Sequence, residues 1–387
     1  MSNDTRRNEW DPRAAEVRQD QIAAYDAMRQ RCPVAHSTYL HWSVFGHADV
    51  LRVLHDPDSF SNAVSTHVAV PNGMDPPQHT AFREIVDRYF TPAAVAAFEP
   101  TCTVIARVLV SGLPDGEADV MELLAEPFAQ QVQCAFMGWP GSLHEPLRKW
   151  VRRNQHATLS GDREAMAGIA LEFDGYIRAQ LDARRQAGDA APDDATTRLC
   201  RERVDGRLIT DDEIVSIVRN WTVGELGTIA ASVGILAHYL AMNQDVQAHL
   251  RGCRDDLPRG IDEILRIHAP LIANRRITTC PVELGGRALE PHERVSVLWA
   301  SANRDEAVFG DPDEFRLDRD PAMNLLYGAG IHDCPGAPLA RLELNVVMNA
   351  LLDAMSGIEP VDGREPTRAQ YPTGGFTKLP LRVVRRS

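Results

Sequence analysis

The residues that could do chemistry gather in one stretch, Tyr327-Gly328-Ala329-Gly330-Ile331-His332-Asp333-Cys334-Pro335-Gly336, which runs into Ala337-Pro338-Leu339-Ala340-Arg341. It sets one cysteine in a glycine-rich turn directly ahead of a helix. Backbone N–H groups of such a turn, and the helix N-terminus behind it, favour a thiolate and are expected to lower the pKa of Cys334. The glycines let backbone approach a flat ligand that side chains would hold off. A thiolate so placed is a nucleophile or a metal ligand, and nucleophilic use would enlist His332, two residues away. Two further pairs stand out. His79 and Arg83 are i,i+4 on a helix opened by Asp75-Pro76-Pro77, so they share one face. Glu263 and Arg266 are i,i+3 and can pair, but Glu145/Arg148 and Glu365/Arg368 have the same spacing, so spacing alone selects none of them.

The whole string from Tyr327 to Arg341 resembles the haem-binding signature of the cytochrome P450 family. That signature reads aromatic, Gly, any, Gly, any, His, any, Cys, any, Gly, then two positions before Leu-Ala-Arg. Every fixed position matches except the first, where Tyr327 stands for the usual Phe and brings a hydroxyl near the cysteine. The resemblance implies a mainly α fold with minor β-sheets, the cytochrome P450 fold, as a single large domain over residues 1–387. It implies heme b (iron protoporphyrin IX), with Cys334 as the metal ligand; a thiolate axial donor promotes O–O cleavage. By the same resemblance His79, Arg83, Arg276 and His332 hold the haem propionates. Arg276 is taken over Arg275 by register, counted back from Val282-Glu283-Leu284-Gly285-Gly286. Glu263 and Arg266 precede the cysteine loop by about the family interval. With Arg319 they imply a structural ion network.

One element departs from the pattern. The family's long distal helix usually carries Ala/Gly-Gly-x-Asp/Glu-Thr, an acid–alcohol pair that handles oxygen and protons. Counting back from Asn243-Gln244-Asp245 puts Gly224-Glu225-Leu226-Gly227-Thr228 there. Thr228 matches the alcohol, Gly227 takes the acid's place, and Glu225 falls on the usual glycine, one helical turn from Thr228. Thr228 and Glu225 are therefore the catalytic candidates. Gly227 inside a helix costs about 1 kcal/mol relative to Ala and marks a kink or a close ligand approach. The implied activity inserts one oxygen atom from O2 into a small apolar organic substrate, by hydroxylation or oxidative dealkylation. Electrons come from a separate ferredoxin or flavodoxin with its reductase. The missing acid leaves peroxide-driven oxygen insertion open, and a non-catalytic haem sensor or carrier is a further reading.

These residues need elements to hold them. Helical spacing is expected over 92–111, 117–137, 143–158, 162–186, 211–242, 244–251, 258–267 and 338–355, with a loop at 61–74. Strands are expected at 41–45, 277–282, 287–289 and 294–300, with strand and turn character from 357 onward. The helix-rich core thus spans about 75–355, with β segments at about 277–300 and 357–385. The resemblance to the cytochrome P450 family implies pocket-lining residues in 62–74, 158–185, 271–274 and 373–377, where Val64, Val68, Leu271, Ile272 and Phe376 are apolar. Composition is ordinary for a globular chain: 387 residues, 44% hydrophobic and 25% charged, which excludes disordered, collagenous and disulfide-scaffold classes. Lys plus Arg against Asp plus Glu gives 41 − 54 = −13, which argues against nucleic acid as a partner. Arg88, Lys149, Arg152 and Arg341 are candidates for a basic docking patch within that acidic surface. Seven scattered cysteines without a CxxC pair point to free thiols and a cytoplasmic setting. The first residues carry no apolar run, and residues 226–244 hold too many polar groups for a spanning helix, so no membrane anchor is expected.

Overall fold

The computed structural model describes residues 9–65 and 67–386; the polar start of the chain (1–8) and Thr66 of the 61–74 loop lie outside the described residues. The elements that position the site are the helices α1 (Gln78–Asp87), α2 (Pro92–Ser111), α3 (Glu126–Met137), α4 (His144–Ser160), α5 (Arg163–Ala187), α6 (Asp211–Met242), α7 (Leu257–His268) and α8 (Ala337–Ala354). Local sequence explains their ends. Thr91 caps α2 by accepting the Ala94 N–H, with Pro92 in the first turn. Thr210 and Glu213 form a reciprocal capping box that starts α6. Gly138 and Gly161, at φ 72° and 69°, close α3 and α4 in the left-handed region that a side chain disfavours.

Helix α6 runs through the core. Between Ala230 and Ala241 almost every residue is buried, because neighbours cover it on all sides: α3, α7 and α8 all pack against it. Over Glu225–Ile229 its hydrogen bonding widens to i→i+5, the local unwinding that Gly224 and Gly227 permit. Helix α8 lies along α2 and carries the residues that follow the cysteine loop. By length and apolar composition α2 and α6 could each cross a membrane. For α6, 61% of the most apolar window is buried, as in a core helix; for α2 the share is 17%.

Two sheets flank the helices. The first has strand order β1-β2-β6-β5-β3, from β1 (Val34–Ser37), β2 (His41–Val44), β3 (Phe60–Ser61), β5 (Ala273–Thr278) and β6 (Arg294–Leu298). Gly285-Gly286 turns a separate hairpin, Val282–Leu284 against Arg287–Leu289. The second sheet pairs β7 (Met355–Pro360), β8 (Pro380–Arg385) and β4 (Gly116–Asp119). Strand β4 corrects the expected helix over 117–137, whose helical part begins only at Met121. Pairing with the C-terminal strand overrides the local pattern, and one Asp119 carboxylate oxygen accepts N–H groups of both Met121 and Leu379, at 3.1 Å each.

Candidate active site

The cysteine loop is shaped by its glycines. Gly328 and Gly330 sit at φ 78° and 73°, and a Cβ on Gly330 would lie 2.3 Å from the Leu54 carbonyl oxygen. The Cys334 N–H donates to the Tyr327 carbonyl at 2.8 Å, and the Ala337 N–H to the Cys334 carbonyl at 3.2 Å, which ties the loop to the first turn of α8. The Tyr327 ring lies under the Arg341 guanidinium, 4.4 Å away, and its buried hydroxyl has no hydrogen-bond partner among the described residues. The Cys334 thiol is solvent-reachable on one side and packed by protein on the others. Burial pushes its pKa up; the Gly336 N–H and the Arg83 charge pull it down and are outweighed. The expected lowering is thus corrected: desolvation costs the thiolate more than the donors return.

The structure brings His79, His332 and Arg276 together. The two imidazoles are 4.2 Å apart between ring centroids. Nε2 of each is buried without a hydrogen-bond partner among the described residues. Burial pushes the pKa of His332 down to about 3, helped by His79 and then by the Arg276 charge, and burial lowers His79 as well. Arg276 is 6% exposed and pushed down to about 10 by burial, whereas Arg275 points outward on β5. Of the two neighbouring arginines, Arg276 is thus the buried one. Arg83 is placed differently from the expectation. Its Nε donates to Asp87 at 2.6 Å, Nη1 to the Ile331 and Asp333 carbonyls at 3.1 and 2.8 Å, and Nη2 to the Asp333 carboxylate at 2.8 Å. Three of its five N–H groups brace the cysteine loop from α1, and a fourth ties Arg83 to Asp87 on its own helix.

At the widened turn of α6 the Thr228 hydroxyl donates to the Gly224 carbonyl at 2.6 Å. Glu225 does not turn toward it alone; its carboxyl meets that of Glu343 on α8. Glu343 is fully buried and Glu225 half-buried, and Glu225 Oε1 and both Glu343 oxygens have no hydrogen-bond partner outside the pair among the described residues. Burial and the neighbouring Glu225 raise Glu343 well above the carboxylate range. Glu225 is pushed up to about 7, also by burial. The sequence reading missed Glu343. Its signal was legible: an acid between Leu342 and Leu344, on the face that buries Leu339 and Val347.

Beneath the loop, Glu263 and Arg266 make two parallel bonds of 2.8 and 2.9 Å, both residues being buried. Arg319 Nε donates to the same Glu263 at 2.9 Å, the Arg316 N–H follows at 3.2 Å, and Arg266 also donates to the Asn303 and Pro312 carbonyls. The rival pairs separate. Arg148 binds Glu126 on α3, and Glu145 pairs with Lys149 at the surface.

A pocket opens beside Gly227, lined by Leu226, Ala230, Phe376, Gln130 and Arg148 among others. A second, which shares Phe376, is lined by Ile272 and His238. Of the expected lining segments, 373–377 borders both and 271–274 the second. Residues 62–74 and 158–185 border neither, and the first half of α4 takes their place. The four cations expected to form a docking patch each pair with a carboxylate: Arg88 with Glu202, Lys149 with Glu145, Arg152 with Glu126 and Arg341 with Asp262.

Comparison with known proteins places this geometry. The family model described as cytochrome P450 matches residues 257–382. The chain is 33% identical to cyclomarin C epoxidase CymV of Salinispora arenicola over 87% of this chain and 90% of that protein. It is 32% identical to cytochrome P450 monooxygenase PikC of Streptomyces venezuelae over 88% and 85% of the two chains. Among solved structures, a P450 EryK mutant in complex with erythromycin B superposes with a TM-score of 0.87 at 26% identity, covering 94% of this chain and 96% of that one. P450 CYP109Q5 from Chondromyces apiculatus also gives 0.87, at 28% identity over 98% and 99%. With relatives this similar over most of its length and a fold to match, the chain belongs to the cytochrome P450 family of haem-binding monooxygenases.

Proposed function

We propose that Cys334 is the thiolate ligand of heme b, that His79, His332 and Arg276 hold its propionates, and that Thr228 with Glu225 moves protons at the oxygen site. One observation carries the reading: two buried imidazole Nε2 atoms, without partners among the described residues, stand with a buried guanidinium beside the cysteine loop. Such a group lacks only carboxylates, and propionates would satisfy it. When bound, haem supplies the activation of O2. The protein does the rest. Arg83 and the Gly328–Gly330 backbone hold Cys334 in place, and the buried Glu263 network fixes the segment ahead of the loop. The Thr228 hydroxyl, now on the Gly224 carbonyl, is the group at the widened turn that can pass a proton onward, with the Glu225–Glu343 pair one turn away as its reservoir. The substrate rests against Leu226, Ala230 and Phe376, which set an apolar carbon beside the turn.

We assign the electrons to a separate ferredoxin or flavodoxin with its reductase. We place the chain in the cytoplasm as a single catalytic domain, in keeping with seven free cysteines. A reduced carbon-monoxide difference spectrum tests the site: the band of thiolate-ligated haem is expected, and its absence from folded, haem-loaded protein overturns the assignment. Gly227 in the acid's place favours peroxide-driven insertion as a second reading. Faster product formation with hydrogen peroxide than with the reductase chain would select it.

Arg83→Lys gives a further expected outcome. One ammonium cannot reach the Ile331 and Asp333 carbonyls and two carboxylates together, so the loop loosens. Haem transfer to apomyoglobin is expected to quicken about tenfold, the equivalent of one charge-assisted hydrogen bond. An unchanged transfer rate would show that Arg83 does not brace the loop.

A further inference from the structure

The pocket lined by Ile272 and His238 has an unbalanced wall. Arg18, from the helical turn Ala15–Gln19, and Arg368 both line it, and no carboxylate does. Neither guanidinium has a hydrogen bond or an ion pair among the described residues. Acids outnumber bases 54 to 41 in this chain, so two arginines unpaired at one pocket are not what composition supplies. Two histidines join them. His238 on α6 and His268 at the end of α7 line the same pocket, and neither imidazole has a hydrogen-bond partner among the described residues. Phe376 stands between these groups: its ring centre is 4.6 Å from that of His238 and 6.0 Å from Arg368 Cζ.

Burial, and then the Arg368 charge, pushes His238 down to about 4. Burial pushes His268 down to about 4 as well, helped by Arg304, His238 and Arg368. Asp313 pulls His268 the other way, but its carboxylate is taken by Arg304 at 2.8 Å. Both imidazoles are therefore neutral near pH 7, and each offers one N–H. Cations and donors gathered without a counter-charge are best satisfied by an anion. The remaining wall includes Ile22, Ile235 and Ile272, a floor that a bare inorganic anion would leave unused.

We propose that this pocket is a binding site for an organic carboxylate. Its carboxylate is held by Arg368 and Arg18 with the two imidazoles, and its hydrocarbon lies against Ile235, Ile272 and Phe376. No residue assigned to haem or to proton transfer lines the pocket, so the proposal stands apart from those assignments.

The test is calorimetric titration of the haem-loaded protein near neutral pH with octanoate and octanamide, which share a hydrocarbon and differ in charge. Wild type is expected to bind octanoate about tenfold tighter, the equivalent of one charge-assisted hydrogen bond. Arg368→Gln should reduce that preference to about twofold or less, Arg368→Lys should keep most of it, and Arg18→Gln should lower it in part. Both arginines are exposed, so melting temperatures should not change. Wild type that binds octanoate no tighter than octanamide, or not at all, overturns the proposal. So does an undiminished preference in the Arg18→Gln/Arg368→Gln double variant, because octanoate held elsewhere, at the haem included, would not feel either change.

Discussion

Glu263→Gln is expected to cost about 3–5 kcal/mol of folding stability, seen as a large fall in the denaturation midpoint and loss of haem from the purified protein. The pair lies where water cannot compensate it: the Arg266 side chain is 1% exposed and that of Glu263 6%. One carboxylate takes both parallel bonds from Arg266, one from Arg319 and the Arg316 N–H. An amide presents one acceptor oxygen and an NH2 that faces two guanidinium groups. The substitution therefore leaves two cations without their shared anion. For a domain stable by about 5–15 kcal/mol, that is a large fraction of the total. Arg341→Ala breaks the bond to Asp262, but the Arg341 side chain is 53% exposed, and the loss should stay within about 1 kcal/mol. A Glu263→Gln protein as stable as wild type would contradict the account.

Glu225→Gln is expected to act in opposite directions on stability and on turnover. Between pH about 4.5 and 7 the folded chain keeps a proton that the unfolded carboxyl has already released, so wild-type stability falls as pH rises through that window. Removing the titrating group should raise stability by about 1–3 kcal/mol at pH 8 and change it little near pH 4.5. Glu343→Gln should show the same pH signature, because the proton belongs to the pair. Coupled turnover should separate the two effects. If Glu225 supplies protons toward Thr228, Glu225→Gln should slow product formation about a hundredfold and divert reduced oxygen to peroxide. Melting curves at pH 5 and 8, with product and peroxide measured together, check both claims. Turnover within about twofold of wild type would remove Glu225 from the proton path, and an unchanged pH dependence would remove it from the pair.

Much of the site is legible in the order of residues alone. Cys334, His332 and the two turn glycines lie in one contiguous string. The Glu263/Arg266 and His79/Arg83 pairs are set by the helical repeat, so their side chains share a face whatever the rest of the chain does. The widened turn near Gly227 is foreshadowed by two glycines in an otherwise apolar helix. The misreadings have a common cause. Gly116–Asp119 has a helix-compatible pattern and becomes a strand only because the C-terminal strand pairs with it. The thiol of Cys334 has the donors expected of it, yet desolvation outweighs them and decides the direction of its pKa.

Sequence by itself determined the family, the haem-ligand candidate and the facing of Glu263 and Arg266, because each depends on residues close in the chain or on a repeat that local geometry enforces. Tertiary structure alone decided the rest. It turned Arg83 onto Asp333, 250 residues away in sequence, set Glu343 against Glu225, and gathered Arg368, His238 and His268 at one pocket. Those outcomes depend on which faces of α1, α6, α7 and α8 meet. That meeting is governed by burial of whole helices, and no short stretch of sequence encodes it.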